Sequence, residues 1–213
     1  MGIRKYSATA VANLRKSGKI GDDILCLGRP SNFLHRSDLR RIGEYLGATW
    51  EEGAMEKLAR ETYGEAFFRH CGFREIRSID ASGFEGAEIV HDLNENIPDQ
   101  LKNIASFIFD SGTMEHIFNV PTSFFNVFQM LKPGGVVMFN APANGQCGHG
   151  FYQFSPEFFH RLLKANGFDP VRVYIVSLRG VTRWCEATDP LAMRRRGGFM
   201  SAEPLQMIVR GRK

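Results

Sequence analysis

The chain has 213 residues, 43% of them hydrophobic and 23% charged, with a net charge of +4 and a sequence pI of about 9.0. This is the composition of an ordinary soluble globular protein, and it excludes the low-hydrophobicity, high-charge regime of disordered chains. No apolar run approaches the ~20 residues of a membrane span, and Cys26, Cys71, Cys147 and Cys185 fall at no metal-ligand or redox-motif spacing.

These features point to one domain over 1–213, with a leading helical segment at 1–20, a core at 21–213, reduced thiols, no metal and a cytoplasmic location. The basic run Arg194-Arg195-Arg196 reads as a solvated loop before a phosphate contact, and aromatic and basic residues do not interleave as on a nucleic-acid surface. The pattern gives no oligomeric state.

In chain order, Ala8 to Lys16 predicts a short helix, and Ile24 to Leu27 a compact apolar strand. Ser37-Asp38 can cap a helix through Leu39, Ile42 and Leu46. A second helical stretch carries Met55, Leu58, Ala59, Ala66, Phe67 and Phe68 and stops at Gly72, and Phe73 to Ile79 reads as the next strand. Strands follow at Glu88 to His91 and at "SFIFD", ending on Asp110. Thr122 or Ser123 then caps a helix with Phe124, Val127, Phe128 and Leu131 on one face, broken by Pro133-Gly134-Gly135 before a strand from Val136 to Phe139. Ser155-Pro156 opens a last helix that stops at Gly167, and "VRVYIVSL" and "LQMIVRGR" close the chain as strands. Apolar strands alternating with amphipathic helices predict an α/β, Rossmann-like sheet, mostly parallel, with helices on both faces and an antiparallel C-terminal strand.

In such sheets ligands bind beyond the carboxyl ends of the strands, which directs attention to Gly28, Asp80, Asp92, Asp110 and Asn140. Asp80 closes "IRSIDAS", where a carboxylate can accept two hydrogen bonds from a ribose diol; a turn-forming Asp is the competing reading. Asp92, in "IVHDLN", could accept from an adenine amino group while neighbouring backbone groups, Leu93 among them, read the ring; a cap or turn role again competes.

The stretch "FIFDSGTMEHIFNVPTSFFNVFQMLKPGGVVMFNAP" resembles the region from motif four to the fifth strand of class I S-adenosylmethionine-dependent methyltransferases. A strand, a Glu-His pair, a helix and Leu-Lys-Pro-Gly-Gly before a strand occur there in that order. The resemblance runs roughly from Ile24 to Arg212, and "SIDASGFEGAEIVHDLNENIP" through "GHGFYQFSPEFF" is similar to a subgroup met in bacterial sugar and surface-polysaccharide contexts. It implies S-adenosylmethionine as cofactor, S-adenosylhomocysteine as product and a small-molecule or sugar-containing acceptor, methylated by direct displacement without a metal. Asp80 then matches the residue that holds the ribose and Asp92 the one near adenine, while Asp110, Ser111 and Gly112 fill the loop facing the sulfonium. His116 would line the pocket or act as a base, with a structural role as its competitor, and His149 and Tyr152 in "CGHGFYQFS" would face the substrate.

The first motif departs from the family. Where an acidic residue, any residue, Gly, any residue and Gly are expected, the chain has Cys26, Leu27, Gly28, Arg29 and Pro30. Only Gly28 remains, so Arg29 or Ser31 would have to face the cofactor's carboxylate. A catalytically silent fold acting as a binding or assembly component is the alternative. A nucleotide-dependent dehydrogenase ranks third, because "LGRPSN" cannot cradle a pyrophosphate closely.

Overall fold

The computed structural model describes residues 2–178, 184–195, 197–198 and 200–213. Arg196, the last residue of the basic run, lies outside them. A sheet of eight strands forms the centre: β2 (Asp23–Leu27), β4 (Glu75–Asp80), β5 (Ile89–Val90), β6 (Ala105–Asp110), β7 (Leu131–Asn144), β8 (Val171–Ser177), β9 (Trp184–Glu186) and β10 (Leu205–Arg212). Two short strands outside it, β1 (Gly2–Ile3) and β3 (Ser31–Asn32), pair in parallel with each other. The sheet order is β5-β4-β2-β6-β7-β10-β8-β9. From β5 to β7 every pairing is parallel, and β10 runs antiparallel to both β7 and β8. The expected reversed C-terminal strand is therefore inserted between two strands that share the common direction.

Alternating side chains along each strand divide the core into two layers, as a sheet covered on both faces requires. Ile24, Cys26, Phe107, Phe109, Val136 and Met138 pack with residues of α1 (Lys5–Lys16), α2 (Arg36–Leu46), α3 (Glu52–Arg60) and α4 (Glu65–His70). Leu25, Leu27, Ile108, Val137 and Phe139 face the opposite way, toward Phe124 and Val127 of α5 (Val120–Met130) and Phe159 and Leu163 of α6 (Pro156–Ala165). None of the described helices is long and apolar enough to cross a membrane.

The structure moves several expected boundaries. The leading segment is a strand as well as a helix, since Gly2–Ile3 finds a partner in Ser31–Asn32 and α1 begins at Lys5. His35, not Ser37, caps α2, and Asp38 accepts a hydrogen bond from the His35 amide. The long stretch ending at Gly72 is two helices, α3 and α4. The strand expected at Glu88 to His91 shrinks to Ile89–Val90, because the Glu88 carboxylate turns to accept from both the amide and the hydroxyl of Ser78, each at 2.7 Å. Helix α5 starts at Val120, with Pro121 in the first turn where its missing N–H is harmless; Ser123 lies inside the helix and donates to the Val120 carbonyl. Pro133-Gly134-Gly135 is absorbed into β7, because the Gly134 amide donates to the Lys213 carbonyl and the Lys213 amide to that of Gly135.

At the far edge, Asp189 caps α7 (Pro190–Met193) and binds Arg161 and Lys164 of α6. Burial opposes its charge, but hydrogen bonds from Lys164, the Leu191 amide and Arg161 bring its pKa down to about 2. The stabilisation is therefore complete above the ordinary aspartate pKa and disappears as the pH falls through about 2. Because Arg161 and Lys164 are 38% and 46% exposed, solvent screens much of the effect. Asp189→Asn is expected to cost about 1–2 kcal/mol at pH 7, with a difference from wild type that shrinks toward pH 2 in urea titrations.

Candidate functional site

The order of the parallel strands reverses direction at β2: β4 and β5 lie on one side of it, β6 and β7 on the other. Such a reversal opens a crevice beyond the carboxyl ends of the two strands that flank it, here β2 and β6. Gly28 leaves β2 with φ of +67°, a turn that a side chain would strain, and its amide donates to the Ile79 carbonyl at 2.8 Å. Arg29 does not face the crevice as a free cation. Its guanidinium pairs with Glu65 at 2.6 Å, donates to the Glu85 carbonyl at 2.7 Å and stacks over the Tyr63 ring. Ser31 is held in β3.

The crevice itself is bridged by the chain. Thr113 donates from its hydroxyl to the Leu27 carbonyl at 2.6 Å, tying the β6 loop to the end of β2. The Gly2 amide donates to the Ser111 carbonyl at 3.3 Å, and the Ser111 hydroxyl donates to the Gly2 carbonyl at 2.7 Å. Strand β1 thus lies against the loop that follows β6.

On the β4 and β5 side, both strand-end aspartates make turns. One oxygen of Asp80 accepts from the Ser82 amide at 3.1 Å. One oxygen of Asp92 accepts from the Asn94 amide and side chain, which hold the Asp92 carboxyl below the usual range. Leu93 is buried in the core, and its carbonyl accepts from Asn126 at 3.1 Å. The Leu93 side chain packs inward in the layer against α5, so any contact it makes with a ligand at this strand end would come from its backbone.

A cleft of about 620 Å³ opens beyond the ends of β6 and β7. Ser111, Gly112, Glu115, Asn140 and His149 line it on the sheet side, and Arg4, Lys5, Tyr6 and His35 on the other. Asp110 is fully buried beneath it, accepting from the amides of Gly112 at 3.1 Å and Thr113 at 2.7 Å. Burial pushes its pKa up, against those hydrogen bonds. Glu115 is 1% exposed, and burial, reinforced by the charge of Asp110, pushes its carboxyl up as well.

Glu115 and His116 stand in a short 3₁₀ turn, Met114–His116, and His149 arrives from the loop after β7 with its Nε2 3.5 Å from Glu115 Oε1. The two imidazole rings meet edge to face with centroids 4.7 Å apart. Burial, then the neighbouring His149, lowers the His116 pKa and favours its neutral form. Across the cleft, burial raises the Tyr6 phenol against a hydrogen bond with Asn140.

Of the sequence-derived candidates, the structure brings Asp110, Ser111, Gly112, His116 and His149 together, and places Gly28, Asp80 and Asp92 on the neighbouring strand ends. Tyr152 is engaged elsewhere: its hydroxyl donates to the Phe118 carbonyl at 2.8 Å and its ring stacks on Phe154. Sequence reasoning does not assign Glu115 to the site, although the Glu-His pair is visible. It also misses Arg4, Tyr6 and His35, whose roles depend on a two-residue strand too short to leave a periodic signal.

No family model matches the chain, and no curated protein does. Among solved structures, an S-adenosylmethionine-dependent methyltransferase from Archaeoglobus fulgidus is similar over 96% of this chain and 93% of its own, at 11% identity and a TM-score of 0.51. Similarity extends to a methyltransferase from Thermotoga maritima described as a possible histamine N-methyltransferase, over 98% of this chain and 90% of that one (13% identity, TM-score 0.45). A third is the Burkholderia thailandensis 1,6-didemethyltoxoflavin-N1-methyltransferase, over 98% and 77% (14% identity, TM-score 0.49). The Archaeoglobus likeness, together with the strand order, shows a class I methyltransferase-like fold.

Proposed function

We propose that the chain transfers a methyl group from S-adenosylmethionine to a small-molecule acceptor, in the finer reading a sugar-containing one, within the cleft beyond β6 and β7. The observation that carries this reading is a cleft lined by Ser111, Gly112, Glu115, Asn140 and His149 beyond β6 and β7, next to the switch point between β2 and β6 of a methyltransferase-like sheet. The cofactor, when bound, supplies an electrophilic methyl group on sulfur. Asp80 has one oxygen engaged by Ser82, leaving the other for a ribose diol, and Asp92 marks the adenine side. Arg4 and Lys5, on the cleft wall, supply the positive charge for a carboxylate that the first motif no longer provides.

The chain's contribution is chiefly placement, since alignment of acceptor and methyl donor is worth ~7–11 kcal/mol. His149, oriented by Glu115, can take the proton of an acceptor hydroxyl, a contribution of ~10²–10⁴-fold. With the cofactor bound, the acceptor oxygen would bond to its methyl carbon as the carbon–sulfur bond broke, the electron pair staying on sulfur and the hydroxyl proton passing to His149.

A second reading, a catalytically silent fold that binds or assembles, is favoured by one observation: β1 and Thr113 bridge the crevice where the cofactor would enter. Calorimetric titration separates the two. Saturable binding of S-adenosylmethionine and S-adenosylhomocysteine, weakened at least about tenfold in a folded Asp80→Ala variant, is the expected result, equivalent to about 1.4 kcal/mol. No binding by the folded wild-type chain at millimolar ligand would leave the silent fold standing.

A further inference from the structure

We propose that Glu115, His116 and His149 form a binding site for a divalent transition-metal cation, zinc in the first instance, beside the cleft that Glu115 and His149 line. Each residue offers one ligand atom, and the three atoms lie within 4.8 Å of one another. In a tetrahedral zinc site, with metal–ligand distances of about 2.0–2.1 Å, neighbouring ligand atoms stand about 3.3 Å apart. The 3.5 Å between His149 Nε2 and Glu115 Oε1 is close to that edge. Two imidazoles and one carboxylate are a zinc-competent donor set that leaves a fourth position open, and imidazole donors suit zinc better than magnesium or calcium.

An independent observation points to a missing partner. Glu115 is 1% exposed and lines the cleft, yet its Oε2 has no hydrogen-bond partner among the described residues. Asp110 Oδ2, beneath the same cleft, is also buried without one. A buried carboxylate ordinarily has a counter-charge or a full set of donors. Among the described residues, neither Asp110 nor Glu115 forms an ion pair with a lysine or arginine, and the one ion-pair partner of Glu115 is His149. A cation held by Glu115 supplies a counter-charge that no lysine or arginine among the described residues supplies.

The backbone also holds the three ligands in place. The Glu115 carbonyl accepts from the Phe151 amide at 2.7 Å and the Tyr152 amide at 3.3 Å, fastening the His149 loop onto the turn that carries Glu115 and His116. The ligands therefore come from two elements already joined, which lowers the ordering cost of binding. This departs from the metal-free expectation drawn from cysteine spacing, because the donors are not cysteines and lie 33 positions apart in the chain, from His116 to His149.

With a cation bound, His149 is a ligand and no longer a base. An acceptor hydroxyl reaching the open position would then lose its proton to solvent under the influence of the cation, which fits an oxygen nucleophile better than a protonated amine. That role rests on the methyl-transfer reading; the binding site itself does not.

The test is titration of the chelator-treated, dialysed full chain with Zn²⁺, read by calorimetry and by thermal shift. The expected result is one cation per chain, a raised melting temperature, and affinity reduced at least about 100-fold in a His116→Ala/His149→Ala variant. Both histidines are exposed, so this variant keeps its fold, as circular dichroism will check. Cys147→Ser, which removes the exposed thiol of the same loop, should leave binding unchanged. X-ray absorption should show only nitrogen and oxygen ligands. Failure to bind stoichiometrically, binding undiminished in the double variant, or a sulfur ligand would each overturn the proposal. Binding of Zn²⁺ without S-adenosylmethionine binding would retain the metal site and discard methyl transfer.

Discussion

Replacing Phe124 with alanine is expected to destabilise the fold by about 3–5 kcal/mol and to lower the melting temperature by about 6–20 °C. The ring is 1% exposed and meets five others: Phe128, Phe139, Phe154, Phe158 and Phe159, with centroids 5.2 to 6.3 Å away. These come from α5, α6, β7 and the segment leading into α6, so truncation opens a cavity where four pieces of chain converge and none can close it alone. Phe125, the next residue in the chain, is 54% exposed, and Phe125→Ala should change stability by no more than about 0.5 kcal/mol. Chemical denaturation of both variants checks the contrast; equal effects would mean that the α5 face is wrongly assigned. The prediction reaches the cleft through β7, where Phe139 packs on Phe124 and the following residue, Asn140, points to the other side.

The same contrast separates what periodicity discloses from what it leaves hidden. Phe124, Val127 and Phe128 sit at helical spacing, and the alternation of β2, β6 and β7 distinguishes two faces, so the layers and the strand ends are legible in the amino-acid pattern. The carboxylates at Asp80, Asp92 and Asp110 can be located for the same reason, since each stands at or within two residues of the carboxyl end of a strand, β4, β5 and β6 in turn. Which atoms those carboxylates use is not legible. Asp92 binds Asn94, two residues on, while Asp110 binds the amides of its own loop, and both choices are made by local turn geometry. The N-terminal contribution is invisible for a different reason: Gly2–Ile3 is a strand only because Ser31–Asn32 lies beside it, a pairing across 29 positions with no periodic signature. Glu115 is hidden in a third way. As an acidic residue between Met114 and His116 it reads as exposed, and its burial arises only when the His149 loop closes over it.

That closure makes Gly150 the most demanding position in the loop, and Gly150→Val is expected to separate His149 from Glu115. Gly150 has φ of +72°, a conformation that costs a β-branched residue about 1–3 kcal/mol. A Cβ there would also lie 2.8 Å from the Glu115 carbonyl oxygen and 3.0 Å from its Cγ. The clash is with backbone, so a rotamer change cannot relieve it; the loop must lift, and the hydrogen bonds from Phe151 and Tyr152 to Glu115 lengthen with it. Gly148 is two residues earlier, has open space around its Cβ position and carries no such backbone strain, so Gly148→Ala should be nearly silent. Proton–proton contacts between the His116 and His149 rings, followed by NMR, report the separation directly: they should weaken in Gly150→Val and persist in Gly148→Ala. Persistence in both variants would mean that the loop is held by its flanks, through Gln146 and Phe154, and not by its fit to Glu115.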